Sequence, residues 1–410
     1  MKILLLPQYF YPESYASAHL DLDLYEYLAS SGNQMVAFLP MPTRGINTEI
    51  KKEYLNKSKE ELFEGHLIVH RFHLYGETSG TIQRALRYFL SAFIQFFKGL
   101  FVKDIDVILL VSTPPIIGFV GGLLHKLKRK PFVYVVQDIF PDSLIHTGIA
   151  KQNSLIWRIG HFIENFTYRN AAKIIVISQD FKTNLLAKNV SQDKIEVIYN
   201  WIDTTKIKPI PRGSNQLFTD WGLDSSFFYV VYAGNFGNAQ SVDTIIKCAE
   251  ILQSIPNIRF VLVGSGLQEQ TLKQMVIDYE LSNVVFFPLQ SSEYLSNVYS
   301  LGNIGIVCCK KGFGHSSFPS KTWSYFAAGT PIIASYDLDS ELSEIVSKNT
   351  LGMSIIPEDP EAMAKAIVSL KENKSLLQSM SLEVRTFAEN HASKQKATKK
   401  YLEVLEKSIF

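Results

Sequence analysis

The sequence predicts an α/β protein built from two doubly wound parallel-sheet domains, and three observations lead to this prediction. The chain has 410 residues, which is more than one hydrophobic core usually organises. Short apolar runs alternate with amphipathic helical stretches in both halves, as in parallel sheets wound by helices. The alternation breaks once, at residues 206–215, where two Pro and a Gly stand among few apolar side chains. Such a stretch is typical of a linker between domains.

We therefore expect an N-terminal domain over residues 1–205, a C-terminal domain over 206–390 and a closing helix within 391–410 that packs back toward the N-terminal domain. The polar stretch 47–65 is the least strand-like part and is predicted to be a surface excursion. The strands predicted for the first domain are 3–6, 35–38, 67–71, 107–111, 132–136, 174–177 and 195–198. Those predicted for the second domain are 228–232, 259–263, 284–287, 304–307, 331–334 and 353–356.

Composition narrows the class of protein. Forty-one Lys and Arg stand against 39 Asp and Glu, and a formal net charge of +2 provides no general field for nucleic acid. Any anion site must be local. The three cysteines, Cys248, Cys308 and Cys309, fit neither a disulfide framework nor the paired spacing of a zinc site, which favours the cytoplasm. The first apolar run is too short for a secretory signal and is predicted to be a buried strand.

Residues 86–102, with the sequence LRYFLSAFIQFFKGLFV, raise the question of a membrane. Only ten residues separate Arg87 from Lys98, whereas a spanning helix needs about 20 apolar residues, so we expect no crossing. Two alternatives stay open, an interfacial helix on a membrane surface and an ordinary core helix. The apolar residues recur at helical spacing: Ile82, Leu86, Phe89, Phe93, Phe96, Phe97 and Leu100.

Two glycine-bearing turns in the second half follow predicted strands directly. One contains Gly234, Asn235 and Gly237, and the other contains Gly264 and Gly266. Glycine allows backbone N–H groups to approach a phosphate closely at the start of a helix. Tight turns between strands and helices also use glycine for purely structural reasons, so neither turn is specific alone.

A third turn, residues 310–321, precedes a helix of small and apolar residues that ends at Gly329. Pro319 and Ser320 at the helix start offer free N–H groups, a hydroxyl cap and the positive end of the helix dipole. Lys321 adds a point charge. Together these features predict a cradle for a diphosphate, although a plain N-capped core helix would use the same residues.

The string PSKTWSYFAAGTPIIAS, at 319–335, resembles the donor-site helix of family-4 retaining glycosyltransferases of the GT-B fold. The branch it resembles contains L-fucosamine (FucNAc) and colanic-acid transferases. The resemblance runs along the whole chain. It is carried by QYFYPE at 8–13, STPP at 112–115, QDIFPDS at 137–143, VIYNWID at 197–203 and YAGNFGNAQ at 232–240.

The resemblance implies a nucleotide-sugar site in the second of two Rossmann-like domains that face a cleft. Lys321 would stabilise the leaving diphosphate and count as catalytic, and no metal or other cofactor would be needed. The expected donor contacts are Gly234, Asn235, Gly237, Gly264, Gly266, Leu289, Gln290, Lys310, Ser316, Phe318, Pro319, Ser320, Lys321 and Ser324. Three of these depart from the family pattern: Asn235 replaces an arginine, and Ser316 and Ser324 replace two glutamates.

In the first domain the resemblance points to Asp138, which stands where many relatives carry a histidine near the reacting sugar. Asp138 is expected to be catalytic by orienting the acceptor hydroxyl or the donor sugar, although capping the turn before Pro141 would explain it equally well. Glu13 and His19 are expected acceptor contacts, and His19 could equally be part of a helix face.

The expected reaction is transfer of a sugar, an N-acetylated or deoxy hexosamine, from a UDP-sugar to a hydroxyl of a polyprenyl-diphosphate-linked saccharide, with the anomeric configuration retained. The expected setting is capsule, O-antigen or exopolysaccharide synthesis at the inner face of the cell membrane, with the protein bound peripherally and without nucleic acid. Two alternatives are a sugar-nucleotide 2-epimerase and a transferase-like scaffold that binds a nucleotide sugar without turnover.

Overall fold

The computed structural model describes residues 1–15, 17–76, 80–142, 151–316 and 318–409. They form two compact units, Met1–Tyr199 with Gln395–Phe410 and Asn200–Lys394. Each unit has its own sheet and its own apolar core, and the prediction of two doubly wound α/β domains is confirmed. Residues 200–205 belong to the second unit. Ser143, in the motif at 137–143, and Ser317, in the turn at 310–321, lie outside the described residues.

The sheet of the first unit has eight strands. They are β1 (Lys2–Leu5), β2 (Gln34–Pro40), β3 (Lys59–Leu62), β4 (Leu67–Phe72), β5 (Val107–Val111), β6 (Phe132–Val136), β7 (Lys173–Val176) and β8 (Ile195–Val197). Their order across the sheet is β3-β4-β2-β1-β5-β6-β7-β8, and all neighbours are parallel except β3 and β4. The predicted strands are all present, because runs of Val, Ile and Leu buried on both faces are typical of parallel sheets.

The second unit has a six-stranded parallel sheet. Its strands are β9 (Phe228–Asn235), β10 (Ile258–Ser265), β11 (Val284–Phe287), β12 (Ile304–Cys308), β13 (Ile332–Ser335) and β14 (Gly352–Ile355). The order β11-β10-β9-β12-β13-β14 reverses direction between β9 and β12, as in dinucleotide-binding folds.

Fifteen helices flank the strands in the described part of the chain. In the first unit they are α1 (Ala18–Ser30), α2 (Thr48–Tyr54), α3 (Thr81–Phe101), α4 (Ile116–Lys128), α5 (Leu155–Asn170) and α6 (Gln179–Ala187). In the second unit they are α7 (Leu217–Asp220), α8 (Asp243–Ile251), α9 (Glu269–Asp278), α10 (Leu295–Tyr299), α11 (Lys321–Ala327), α12 (Glu341–Lys348), α13 (Pro360–Glu372) and α14 (Lys374–His391). The last helix, α15 (Lys394–Ile409), returns to the first unit.

The polar stretch 47–65 contains a helix and an edge strand, α2 and β3, so its description as an excursion is corrected. Glu60 of β3 is buried, and it accepts a hydrogen bond from the Tyr54 hydroxyl at 2.9 Å and pairs with Lys57 at 2.7 Å. These partners compensate the burial of a carboxylate that would otherwise disfavour a strand here. A short, charged strand also protects the edge of a sheet from further pairing.

Helix α3 buries three polar side chains against the protein and exposes most of its aromatic side chains. Arg87, Ser91 and Gln95 are buried, and Gln95 donates hydrogen bonds to the carbonyls of Pro7 and Phe38 at 2.8 and 2.9 Å. Phe96 and Leu100 of the predicted stripe are half-buried and pack against the core of the first unit, so the core-helix alternative holds for this part of the helix. The predicted stripe is largely exposed, with Ile82, Leu86, Phe89, Phe93 and Phe97 all between 43% and 84% accessible.

None of the helices in the described ranges is both long and apolar enough to span a bilayer.

Candidate functional site

The place where the sheet order of the second unit reverses lies at the carboxyl ends of β9 and β12. Gly234 and Asn235 end β9, and Cys308 ends β12. Ligands of open parallel sheets bind outside the strands at such a point, because the two neighbouring loops run in opposite directions and leave a crevice. This edge is therefore the candidate binding site of the second unit.

Lys321, the first residue of α11, reaches back to this edge. Its Nζ donates a hydrogen bond to the Tyr232 hydroxyl at 2.8 Å and lies 4.0 Å from the centroid of the same ring. A Cβ atom on Gly234 would come within 3.0 Å of Nζ. The absence of a side chain at Gly234 is thus what gives the ammonium its place beside the end of β9.

The position of Lys321 lowers the pKa of its ammonium group. Burial lowers the pKa of Lys321 from 10.5 to about 8, because an ammonium loses hydration there. The side chain is half-buried. A partly desolvated ammonium at the switch point of the sheet is well suited to bind a phosphate, since an anion would restore the solvation it has lost.

Four glycines bring the neighbouring loops together at the same edge. Gly234 pairs in register with Gly264, where an added Cβ would lie 2.0 Å from the Gly234 carbonyl oxygen. The Asn235 side chain lies between the two turns: its Oδ1 is 2.5 Å from a Cβ built on Gly266, and its Nδ2 is 2.7 Å from one built on Gly237. The structure therefore groups five predicted donor residues in one strip of backbone next to Lys321.

The loop before α11 is held by two carboxylates that the sequence analysis did not identify. Asp337 accepts hydrogen bonds from the N–H groups of Gly312 and Gly314 at 2.8 to 3.0 Å, and Glu358 accepts one from Lys311 at 3.1 Å. These N–H groups are already engaged within the protein. The loop presents the exposed side chain of Lys310 instead.

Lys310 and Gly237 line a cavity of about 370 Å³ that is bounded by the loops after β9 and β12 and by the helices α8 and α9. Neither Lys321 nor Gly234 lines that cavity. The predicted donor residues thus fall into two neighbouring groups. A larger cavity of about 950 Å³ lies between α8 and α13, contains none of the predicted residues, and is not the candidate site.

The start of α11 differs from the prediction. Ser320 precedes the helix with helical dihedral angles, and its side chain makes no capping hydrogen bond. The N–H groups of Thr322 and Trp323 bond the carbonyls of Pro319 and Ser320 at 3.0 and 3.1 Å. The expected hydroxyl cap is therefore wrong: a cap residue must be extended for its oxygen to reach the second or third N–H group.

Two further predicted donor residues lie before and within α11, Phe318 and Ser324. The Phe318 ring stacks on Trp323 with centroids 5.0 Å apart and holds the loop against the helix. Ser324 is buried, and its side chain lies beside the hydroxyl of Tyr299. This arrangement does not support the predicted ribose contact of Ser324. Ser316 is half-buried in the loop and donates its N–H to the Phe313 carbonyl at 3.0 Å.

The predicted base contacts, Leu289 and Gln290, follow β11, the edge strand of the sheet. Leu289 is exposed, and the Gln290 amide donates to the Pro288 carbonyl at 2.8 Å. Because β11 is two strands from β9, this turn lies about 10 Å from the Lys321 side of the edge. That separation suits the base and the diphosphate ends of one nucleotide.

The first-unit candidates lie on three different elements. Asp138 is exposed just after β6, and its N–H points to the Ser112 hydroxyl at 3.4 Å. His19 is exposed in the first turn of α1. Both predicted roles stay predictions.

Glu13 is buried and fully engaged by the backbone. Its Oε1 accepts from the N–H groups of Thr43 and Arg44 at 2.8 and 3.0 Å, and its Oε2 accepts from Phe10 at 3.3 Å. Burial raises the pKa of Glu13, and these hydrogen bonds oppose that rise. The side chain holds two loops together, and this arrangement does not support its predicted role as an acceptor contact, which stays a prediction.

Two Rossmann-like units in one chain, each with its own sheet, define the GT-B architecture. The sequence matches two family models in the same order: Glycosyltransferase Family 4 over residues 22–206 and Glycosyl transferases group 1 over residues 214–387. The chain is therefore a family-4 glycosyltransferase of the GT-B fold.

Similar curated proteins agree with this assignment. WbjE of Pseudomonas aeruginosa, named as a glycosyltransferase, is 24% identical over 272 residues, which are 65% of this chain and 66% of WbjE. WcaI of Escherichia coli K12, named as a colanic acid biosynthesis glycosyl transferase, is 23% identical over 98% of this chain and 99% of its own length. The comparisons give no support to the epimerase alternative.

Solved structures share the fold. Sucrose-phosphate synthase from Thermosynechococcus elongatus superposes with a TM-score of 0.76 at 18% identity, covering 99% of this chain and 98% of that one. HepE of Anabaena, solved in complex with UDP, gives a TM-score of 0.73 at 17% identity over 99% and 100% of the two chains. At these identities the likeness is evidence for the fold alone.

Proposed function

We propose that this glycosyltransferase moves a sugar, an N-acetylated or deoxy hexosamine, from a UDP-sugar to a hydroxyl of a polyprenyl-diphosphate-linked saccharide, with retention of the anomeric configuration. The product would enter capsule, O-antigen or exopolysaccharide synthesis. The colanic acid assignment of WcaI and the UDP bound to HepE support this choice of pathway and nucleotide.

The observation that carries the proposal is the Lys321 ammonium at the end of β9. As the bond to the donor sugar breaks, negative charge accumulates on the diphosphate, and a fixed cation beside it lowers the barrier. Lys321 is already in place through its 2.8 Å hydrogen bond to Tyr232, so little reorganisation is needed when the charge develops. No protein-bound metal or other cofactor is part of this proposal.

The remaining donor contacts are proposed by position. The strip Gly234, Asn235, Gly237, Gly264 and Gly266 would approach the diphosphate with its backbone, and Lys310 would add a second charge. Ser320, Pro319 and Phe318 would form the wall on the α11 side, with Ser316 toward the sugar. Leu289 and Gln290 would hold the base. Asp138 would orient the acceptor hydroxyl or the donor sugar, with His19 as a further acceptor contact.

A lipid-linked acceptor requires the enzyme to work at the inner face of the cell membrane, and we place it there as a peripheral protein. The outward apolar side of α3 supports this location. Exposed Phe89 and Phe93 gain by leaving water for the acyl region of a bilayer, while the buried Arg87 and Gln95 fasten the helix to its domain.

Thermal unfolding with UDP-, GDP- and dTDP-sugars tests the donor site. A ligand that binds only the folded state raises the melting temperature with its concentration. We expect a UDP-sugar to stabilise the parent and to lose this effect in Lys321→Ala. Lys365→Ala, on the exposed face of α13, is the matched control and should behave as the parent. Equal stabilisation of Lys321→Ala would remove Lys321 from the site.

A second candidate function is a transferase-like scaffold that binds a nucleotide sugar without turnover. The neutral residues Asn235 and Ser316, and the inward position of Ser324, favour it. Incubation with a UDP-sugar and a detergent-solubilised polyprenyl-diphosphate saccharide separates the two. A product with retained configuration supports the transferase. Donor binding without any product, while a companion protein performs the transfer, supports the scaffold.

A further inference from the structure

A second helix of the first unit, α5, also turns its apolar side outward. Leu155, Ile159 and Phe162 follow each other at helical spacing, and Leu155 and Phe162 are 74% and 62% exposed. In a helix that packs on a protein core these positions would face inward. The pattern of α3 is therefore repeated on a separate helix, which the sequence analysis did not single out.

The inward side of α5 consists of Gly160, Glu164, Thr167 and Tyr168, and the leucine, isoleucine and phenylalanine side chains named above are not among its buried residues. Glu164 is buried and pairs with Lys188 at 2.7 Å and with His161 at 3.0 Å. Gly160 faces Pro141, and an added Cβ would lie 2.7 Å from the Pro141 side chain. These contacts fix the rotation of α5 about its axis, so the outward position of the apolar side chains is a property of the packed domain.

Helix α4 lies between α3 and α5 and joins their outer faces. On one side an added Cβ on Gly122 would lie 2.4 Å from the ring of Phe166, so α5 approaches α4 closely. The ring of Phe119 lies 4.6 Å from that of Phe166 and 6.1 Å from that of Phe162. The apolar side chains of α4 and α5 are thus continuous.

On the other side α4 is fastened to the end of α3. The Lys128 ammonium donates to the carbonyls of Leu100 and Val102 at 2.8 and 2.6 Å, and an added Cβ on Gly99 would lie 3.1 Å from Leu124. Because the three helices form one layer over the sheet, their outer sides point the same way. We call this outer surface of α3, α4 and α5 the three-helix face.

The charges on the three-helix face have one sign. Glu164, which is buried, is the only carboxylate in the sequences of α3, α4 and α5. The exposed charged residues of these helices are all basic: Arg84, Lys98, Lys126, Arg158 and Arg169. A face that is aromatic at its centre and exclusively cationic in charge matches an anionic lipid bilayer, into which rings insert while basic side chains meet headgroup phosphates.

We propose that the three-helix face is a docking surface for an anionic bilayer, with α5 and α4 as a second contact beside α3. The inference rests on the membrane location in the proposed function and deepens it. One amphipathic helix would allow the domain to rock on the membrane. Two outward helices joined by α4 define a plane, and so fix the orientation of the domain toward a lipid-linked acceptor.

Vesicle binding of the full chain tests the proposal. The probes are vesicles of phosphatidylcholine alone and vesicles that also contain phosphatidylglycerol. The α5 variant Ile159→Ser/Phe162→Ser and the charge variant Lys126→Glu/Arg158→Glu should each bind the anionic vesicles at least about tenfold more weakly than the parent. Ile277→Ser, at an exposed apolar position of α9 in the other unit, is the matched control and should bind as the parent.

The side chains changed are exposed, so unchanged melting temperatures and unchanged stabilisation by a UDP-sugar will show that the variants are folded. Parent-like binding by the α5 variant, with a loss in Phe89→Ser/Phe93→Ser, overturns the proposal and leaves α3 as the sole contact. If the parent binds neither kind of vesicle, the docking proposal is also overturned. The proposed function is then still tested separately, by the stabilisation that a UDP-sugar gives to the parent. A change in oligomeric state of the α5 variant by light scattering, with vesicle binding unchanged, would overturn it in favour of an interface between copies.

Discussion

The Nζ of Lys321 donates to the Tyr232 hydroxyl, and that hydroxyl donates in turn to the carbonyl of Asn235. The two hydrogen bonds, each 2.8 Å long, connect the start of α11 to the end of β9 and place a cation where the sheet order reverses. The ring of Tyr232 also makes a cation–π contact with the Lys321 ammonium. The position of the candidate charge is therefore decided by a tyrosine that lies within the core of the domain.

Gly234→Ala should remove donor binding and lower stability by about 1–3 kcal/mol. Gly234 has a φ of 149°, which side chains rarely adopt, and an added Cβ would displace the Lys321 ammonium, 3.0 Å away. Urea unfolding and the UDP-sugar thermal shift measure the two effects. Gly213→Ala is the control, because nothing lies within 4 Å of a Cβ there. A stable Gly234→Ala protein with parent-like donor binding would show that Lys321 acts from another position.

Donor affinity should decrease as the pH rises above about 8. Burial depresses the pKa of Lys321 to about 8, so the free protein carries the ammonium below this pH and a neutral amine above it. Binding of the diphosphate must then take up a proton, and Kd should rise by about tenfold per pH unit above 8 until the pKa of the complex is reached. Calorimetric titrations with UDP between pH 7 and 9.5 measure this slope.

Lys321→Arg provides the control for that slope, because a guanidinium stays charged throughout this range. Its absolute affinity can differ from that of the parent, and only the pH dependence of Kd is compared. If the Kd of Lys321→Arg rises with pH as steeply as that of the parent, the titrating group is not Lys321.

The lowered pKa of Lys321 also affects folding. Between pH 8 and about 10.4 the unfolded chain binds the Lys321 proton and the folded one does not, so this residue makes stability rise with pH in that window.

Glu13→Gln should destabilise the first unit by about 1–3 kcal/mol and leave the KM for the acceptor unchanged. A carboxylate accepts all three N–H groups of Phe10, Thr43 and Arg44, whereas the amide nitrogen of Gln can only donate. Urea unfolding together with the KM for the acceptor checks this. An unchanged midpoint with a raised acceptor KM would restore Glu13 as an acceptor contact.

Strand positions were predictable where local sequence decides them and not where distant partners do. The runs at 107–111 and 132–136 are apolar throughout and were located with their correct bounds. Strand β3 reads KEEL, and nothing local distinguishes it from a loop. It forms because β4 is available for pairing and because Tyr54 and Lys57 compensate the charge of Glu60.

The candidate site shows the same division. Gly234, Gly264 and Lys321 could be identified because strand-to-helix turns are recognisable in sequence. The role of Tyr232 depends on a residue 89 positions later, and that of Asp337 on N–H groups 23 and 25 positions earlier. The rotation of α3 and α5 about their own axes could not be predicted from the local sequence either. A hydrophobic stripe shows that a helix has two sides, and only the packed domain shows which side is inward.

Ser324→Ala should lower stability by about 0.5–1.5 kcal/mol and change the Kd for UDP by less than about twofold. The Ser324 hydroxyl is buried beside Tyr299, so its loss removes a polar contact inside the domain and takes nothing from the edge where Lys321 lies. Ser320→Ala, at the exposed position before α11 that makes no cap, serves as the comparison and should leave stability unchanged. If Ser324→Ala instead weakens UDP binding by more than about fivefold at unchanged stability, the hydroxyl contacts the ribose, and α11 must rotate or shift when the donor binds.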